Sequence, residues 1–184
     1  MGILNGNGSN SDLKIVKDYE NLVLATKGLQ AVGRKIVVTI GSWDMLHIGH
    51  LRYLMKAKEH GDILVVGVDS DRGIKSYKGD FRPVVPENER CEMLTYQSPV
   101  DFVTIIDDID EKGKWQYRLI DAIKPDIFVA VEDSYPPEQI EEIRKYCGDV
   151  VVLPRQAEET STSNFIQNTI KKYLAKIHNI AEEL

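Results

Sequence analysis

From residue 35 onward, short runs of apolar residues alternate with longer amphipathic stretches. The runs "KIVVTI" (35–40), "DILVVGV" (62–68), "VDFVTII" (100–106), "DIFVAV" (126–131) and "DVVVL" (149–153) are rich in β-branched residues and apolar at consecutive positions. Strands with that pattern are buried on both faces, as in parallel sheets. The intervening stretches at 48–60, 86–97, 115–123, 137–146 and 162–178 predict helices long enough to act as right-handed crossovers. The expected fold class is therefore α/β, a doubly wound, Rossmann-like sheet of about five parallel strands with helices on both faces. Ahead of the first run, Ile15, Val16, Tyr19, Leu22, Val23 and Leu29 follow a helical period, which predicts a helix capped by Asp12 and ending near Gly33. Residues 1–11, dominated by Gly, Asn and Ser, read as a flexible leader, and 12–184 as a single domain with an N-terminal and a C-terminal helix.

Composition narrows the function classes. With 42% hydrophobic and 28% charged residues, the chain of 184 has the balance of an ordinary globular protein. A net charge of −6 disfavours a nucleic-acid or anionic-membrane surface, so any basic site has to be local. No apolar run reaches the roughly 20 residues of a membrane helix, and the opening "MGILNGNGSNSD" lacks the pattern of a signal peptide, so a cytoplasmic protein is expected. Cys91 and Cys147 lack metal-ligand spacing and read as reduced thiols.

In a doubly wound sheet, ligands bind beyond the carboxyl ends of the strands where the strand order reverses, which directs attention to the connecting loops. After the first strand, "GSWDMLHIGHLRYL" offers a tight turn at Gly41 and then His47 and His50, three apart at a predicted helix start and so on one helical face. Such a start, with two imidazoles beside its free amides, suits an anion such as a phosphate. A single histidine would more readily be packing or capping; the pair at this spacing reverses that balance. The second strand runs into "DSDRGIKSYKG", where Lys75 and Lys78 lie between Gly73 and Gly79 in a predicted mobile loop able to close over phosphates. Either lysine alone is ordinary solvated surface. "AVEDSYPPEQ" supplies Glu132 and Asp133, the latter equally suited to capping the next helix. Finally, "LPRQAEETSTSNFI" places Arg155 beyond the last strand and four consecutive hydroxyls at 160–163, more than capping requires.

The "HIGH" segment, preceded by "GSWDMLH" where related proteins commonly carry Gly-Thr-Phe-Asp, resembles the signature of the cytidylyltransferase-like nucleotidyltransferase superfamily. The likeness covers about residues 12–172: "GDILVVGVDSD", "KGDFRPVVPENER", "KPDIFV" and "STS" fall in the order seen in ADP-heptose synthase nucleotidyltransferase domains and glycerol-3-phosphate cytidylyltransferases. Class I aminoacyl-tRNA synthetases share the HIGH sequence, but this chain has no KMSKS motif. The resemblance implies transfer of a nucleotidyl group from ATP or CTP to a phosphorylated sugar or polyol, with release of pyrophosphate. An FAD synthetase-type adenylyltransferase and a non-catalytic nucleotide-binding domain of the same fold are the alternatives. It implies catalytic roles for His47, His50 and Lys78, and nucleotide contacts from Gly41, Ser42, Trp43, Gly49, Lys75, Glu132, Asp133, Arg155, Thr160, Ser161 and Thr162. Arg82 and Arg90 also match the family pattern, Arg90 more as a structural residue. Arg118, three residues after a tryptophan in "WQYR", would meet the acceptor's phosphate. Val131 stands where glycine is usual and Ala130 where heptose-type enzymes have lysine. Mg²⁺ would be held mainly through the nucleoside triphosphate, with no protein metal-ligand cluster, and a homodimer formed through the first or last helix is implied.

Overall fold

The structure, a computed structural model, describes residues 13–157 and 159–182; the leader expected at 1–11 and the Asp12 cap lie outside them. Five strands form one parallel sheet: β1 (Ile36–Gly41), β2 (Ile63–Asp69), β3 (Phe102–Ile106), β4 (Ile127–Val131) and β5 (Asp149–Leu153), in the spatial order β3-β2-β1-β4-β5. β1 pairs with β2 from Ile36 opposite Ile63 to Gly41 opposite Val68, and on its other edge sets Val37 opposite Ile127 of β4. The order reverses between β1 and β4, so the crevice for a ligand opens at the carboxyl end of β1.

The consecutive apolar residues are explained by two cores, one on each face of the sheet. Ile36 and Val38 of β1 and Phe128 and Ala130 of β4 point to one face, where they meet Leu22, Leu119, Ile120, Ile123 and Ile143. Val37 and Val129 point to the other and meet Tyr53, Leu54, Ala57, Cys91 and Leu94. The first face is covered by α1 (Tyr19–Ala31), α5 (Arg118–Ile123) and α6 (Pro137–Ile143), and the second by α2 (Ile48–Lys58) and α4 (Glu87–Thr95). Both cysteines are free thiols, and burial pushes Cys91 up to about 11.

Four local expectations are corrected. The first helix begins at Tyr19, capped by Asp18, whose carboxylate accepts from the Glu20 amide at 2.9 Å. Ile15, expected on that helix, instead bridges Val103 in parallel, with the Val16 amide donating to the Val103 carbonyl at 2.9 Å. The segment after β2, expected as a mobile loop, is the helix α3 (Asp71–Lys78): the Ser70 hydroxyl caps it by accepting from the Gly73 amide at 2.9 Å, and Ile74 anchors it in the interior. The helix expected from 115 starts only at Arg118, because residues 108–117 fold into a tight turn, while the last helix, α7 (Thr162–Glu182), runs beyond its expected end.

Candidate active site

A cavity of about 1040 Å³ opens at the switch point. Its floor is the end of β1 and the turn after it. Trp43 and Met45 both adopt left-handed backbone conformations there, with φ of 51° and 53°. That strain is held by packing, since the Trp43 ring is buried and its indole N–H donates to the Gly67 carbonyl at 2.9 Å. Trp43 thereby bends the chain so that α2 starts against the cavity.

His47 is the N-cap of α2, its Nδ1 accepting from the Gly49 amide at 3.2 Å, which leaves the proton of the neutral ring on Nε2. Gly49 keeps this contact close: a Cβ there would lie 3.0 Å from the His47 ring and 3.2 Å from Ala157, tighter than ordinary packing. His50 stacks on His47 with ring centroids 3.9 Å apart, and its Nδ1 is buried without a partner. Burial, then the neighbouring His47 and the Lys78 cation, push His50 down to about 3, and burial lowers His47 as well. Both are therefore neutral at pH 7, donors without the cost of stacking two cations.

Cations enter from opposite sides. Lys78, the last residue of α3, donates to the Ser42 hydroxyl at 2.8 Å. Partial burial and the nearby Arg82 guanidinium lower its ammonium, against the opposing pull of Asp69 and Asp44. Arg155, beyond β5, has its backbone amide bound to the Glu132 carboxylate at 2.8 Å and its Nε 3.5 Å from Asp133. The start of α7 closes the ring: Ser161 accepts from the Asn164 amide at 3.1 Å, and the buried Thr162 hydroxyl donates to the Asp44 carbonyl at 2.6 Å. The N-termini of two helices, α2 and α7, therefore face one cavity that also presents a lysine and an arginine. That arrangement suits a polyanion with several phosphates.

Asp44 and Arg90 brace this frame from inside. The Asp44 side chain is fully buried; it binds Arg82 at 2.7 Å and accepts from the amides of Val84 and Val85 at 3.0 and 2.9 Å. Burial alone would raise its carboxyl, but those amides and the guanidinium outweigh it and hold the carboxyl below its ordinary value. Arg90, also fully buried, donates to the carbonyls of Ser42, Asp69 and Val85 and pairs with Asp71.

The family profile for cytidylyltransferase-like proteins matches residues 38–172. The chain belongs to the cytidylyltransferase-like family. It is 44% identical to the bifunctional protein HldE of a Nitratiruptor species over 154 residues, 84% of this chain and 30% of that protein. It is 35% identical to the bifunctional protein HldE of Geobacter metallireducens over 175 residues, 94% of this chain and 34% of that protein. The chain thus spans about a third of the length of the curated relatives it matches. Among solved structures, the lipopolysaccharide core biosynthesis protein of Thermoplasma volcanium superposes with a TM-score of 0.58 at 28% identity, covering 67% of this chain and 98% of that one.

Of the residues that the cytidylyltransferase-like resemblance singled out, the cavity brings together Gly41, Ser42, Trp43, His47, Gly49, His50, Lys78, Arg155, Thr160, Ser161 and Thr162. Four are placed elsewhere. Lys75 lies one turn back on α3, Glu132 and Asp133 stand behind Arg155 as its braces, and Arg118 is exposed at the start of α5, off the cavity lining. Sequence reasoning passed over Asp69, Tyr77, Asp108 and Tyr135, all of which line the cavity. Tyr77 donates to Asp69 at 2.6 Å, and burial raises the Asp69 carboxyl. For Asp69 and Asp108 the available signal was position: acidic residues at or just past the carboxyl end of a buried strand face the ligand side of such a sheet.

Proposed function

We propose that this chain transfers a nucleotidyl group from ATP or CTP to a phosphorylated sugar of the heptose-phosphate type and releases pyrophosphate. The observation that carries this reading is the polyanion cradle at the switch point, in which two neutral imidazoles, Lys78, Arg155 and two helix N-termini face a cavity with room for a second substrate. In the reaction an oxygen of the acceptor phosphate attacks the α-phosphorus, and the bond from that phosphorus to the bridging oxygen breaks. Its electron pair departs with pyrophosphate. No covalent enzyme intermediate is needed, so the protein's work is positioning and neutralising charge. His47 and His50 donate N–H groups to the phosphate oxygens, and Lys78 and Arg155 offset charge on opposite sides. The likeness to HldE proteins and to a lipopolysaccharide core biosynthesis protein supports a sugar-phosphate acceptor.

In this reading Mg²⁺ would enter as a companion of the triphosphate, held through its phosphates. Among the described residues no group of three His, Cys, Asp or Glu side chains is placed to hold a metal by itself. When bound, the ion would neutralise phosphate charge. We place the reaction in the cytoplasm, where its nucleotide is available; among the described residues no helix is long and apolar enough to cross a membrane. A homodimer is part of this reading, with α7 as its contact: Phe165, Ile170, Tyr173, Leu174 and Ile177 are exposed along it.

The test is pyrophosphate release with ATP and with CTP, Mg²⁺ present, against a heptose phosphate, glycerol 3-phosphate and FMN. Release dependent on the heptose phosphate and on one nucleotide is expected. Release with glycerol 3-phosphate or FMN instead, or none with any acceptor, overturns the assignment.

A further inference from the structure

Part of the cavity wall is built by the turn after β3 and the start of α6, and it contains two polar atoms whose needs the protein does not meet. Asp108 is 3% exposed. Its Oδ2 accepts from the Arg118 amide at 2.7 Å, while its Oδ1 is buried without a partner. Seven residues on, the Trp115 indole N–H is also buried without a partner. Both residues line the cavity.

Neither group is free to turn away. The turn between them is tied by Asp110, whose carboxylate accepts from the amides of Lys112 and Lys114 at 2.9 and 2.8 Å, and by an antiparallel bridge between Ile109 and Trp115. The Gln116 amide donates back to the Asp108 carbonyl at 2.9 Å. Tyr117, Phe128 and Tyr135 surround the indole with centroids 4.4, 6.5 and 6.0 Å from it. A buried acceptor and a buried donor left unmet in a native structure call for a reason, since each forfeits its solvation. The wall thus offers one carboxylate oxygen seeking a donor and one N–H seeking an acceptor. A hydroxyl group supplies both, and a polyhydroxylated ring supplies several in fixed directions. A phosphate monoester is mostly the dianion at neutral pH and would be repelled by the Asp108 carboxylate.

We infer that Asp108 and Trp115 bind hydroxyl groups of the acceptor's sugar and so select a polyhydroxylated acceptor, while its phosphate lies toward Lys78 and the histidines. This rests on the nucleotidyl-transfer reading and adds the residues that choose the acceptor. Selection follows because a partner lacking the hydroxyls leaves both groups unpaired.

The test uses Trp115→Phe, which removes the N–H and keeps the ring, and Asp108→Asn, which keeps an oxygen for the Arg118 amide and places a donor where the acceptor was. Each is assayed for the KM of heptose phosphate and of nucleotide, and heptose phosphate binding is measured by calorimetry with a non-hydrolysable nucleotide. The expected result is a rise of at least tenfold in acceptor KM and Kd, with nucleotide KM within twofold of wild type. Should Asp108→Asn fail to fold, Trp115→Phe decides alone. Wild-type acceptor KM and Kd in the variants, with pyrophosphate still released, overturn the hydroxyl assignment and leave the reaction standing. Heptose phosphate binding that weakens tenfold in the variants, in a wild-type protein that releases no pyrophosphate, overturns the reaction and supports the assignment. Absence of wild-type binding overturns both.

Discussion

His50 is a neutral imidazole at pH 7, held so by burial, by the stacked His47 and by the Lys78 cation. In the proposed reaction it donates toward developing negative charge, so His50→Ala is expected to lower kcat by roughly 10²–10³-fold, about 2.7–4 kcal/mol. An unchanged kcat would remove it from the chemistry. The same burial predicts a pH effect on stability. Between the ordinary 6.5 and about 3, the unfolded chain binds a proton at His50 that the folded chain refuses. The stability from the neutral ring is therefore full above pH 6.5 and falls as pH drops through that window, by at most about 1.4 kcal/mol per pH unit. Urea midpoints of wild type and His50→Ala from pH 7 to 4 should show the shallower slope in the variant; parallel slopes would contradict a buried neutral His50. The two histidines were legible in the sequence because their juxtaposition is local, the N-cap of α2 and a residue of its first turn. The role of Asp108 was not, because its free oxygen exists only once the 108–117 turn has closed and Arg118 has claimed the other.

Among the elements, α4 matters to the site without reaching it. Its Arg90 holds the carbonyls at the ends of β1 and β2 and the one preceding α4, and so fixes the spacing between the β1 turn and α3. Replacing it by Met leaves those carbonyls and Asp71 without their donor. Arg90→Met is expected to lose about 3–5 kcal/mol of stability, read from the denaturant midpoint. A loss below about 1 kcal/mol would mean that the carbonyls find other partners. The helix α3 shows where pattern reading fails at this scale. Gly73 and Gly79 flank a charged stretch that reads as a loop, and only Ile74 is apolar enough to be buried. The Ser70 cap and the packing of Ile74 outweigh weak helix propensity. Lys78 is consequently carried on a helix end, at a set distance from Ser42.

At the scale of the molecule, the exposed apolar residues of α7 predict self-association. Sedimentation at micromolar concentration should give a dimer, and Ile170→Glu with Leu174→Glu a monomer; a wild-type monomer would overturn the α7 contact. The sequence by itself determined the α/β class, the five strands and their burial on both faces, because consecutive β-branched residues leave no polar face and parallel strands need crossovers. It also determined the HIGH helix start and the hydroxyl run, since both are contiguous. Only the tertiary structure decided that α2 and α7, more than a hundred residues apart, point their N-termini into one cavity, and that Glu132 and Asp133 brace Arg155 behind its lining. Those outcomes follow from the order β3-β2-β1-β4-β5, a long-range arrangement that no local pattern of residues encodes.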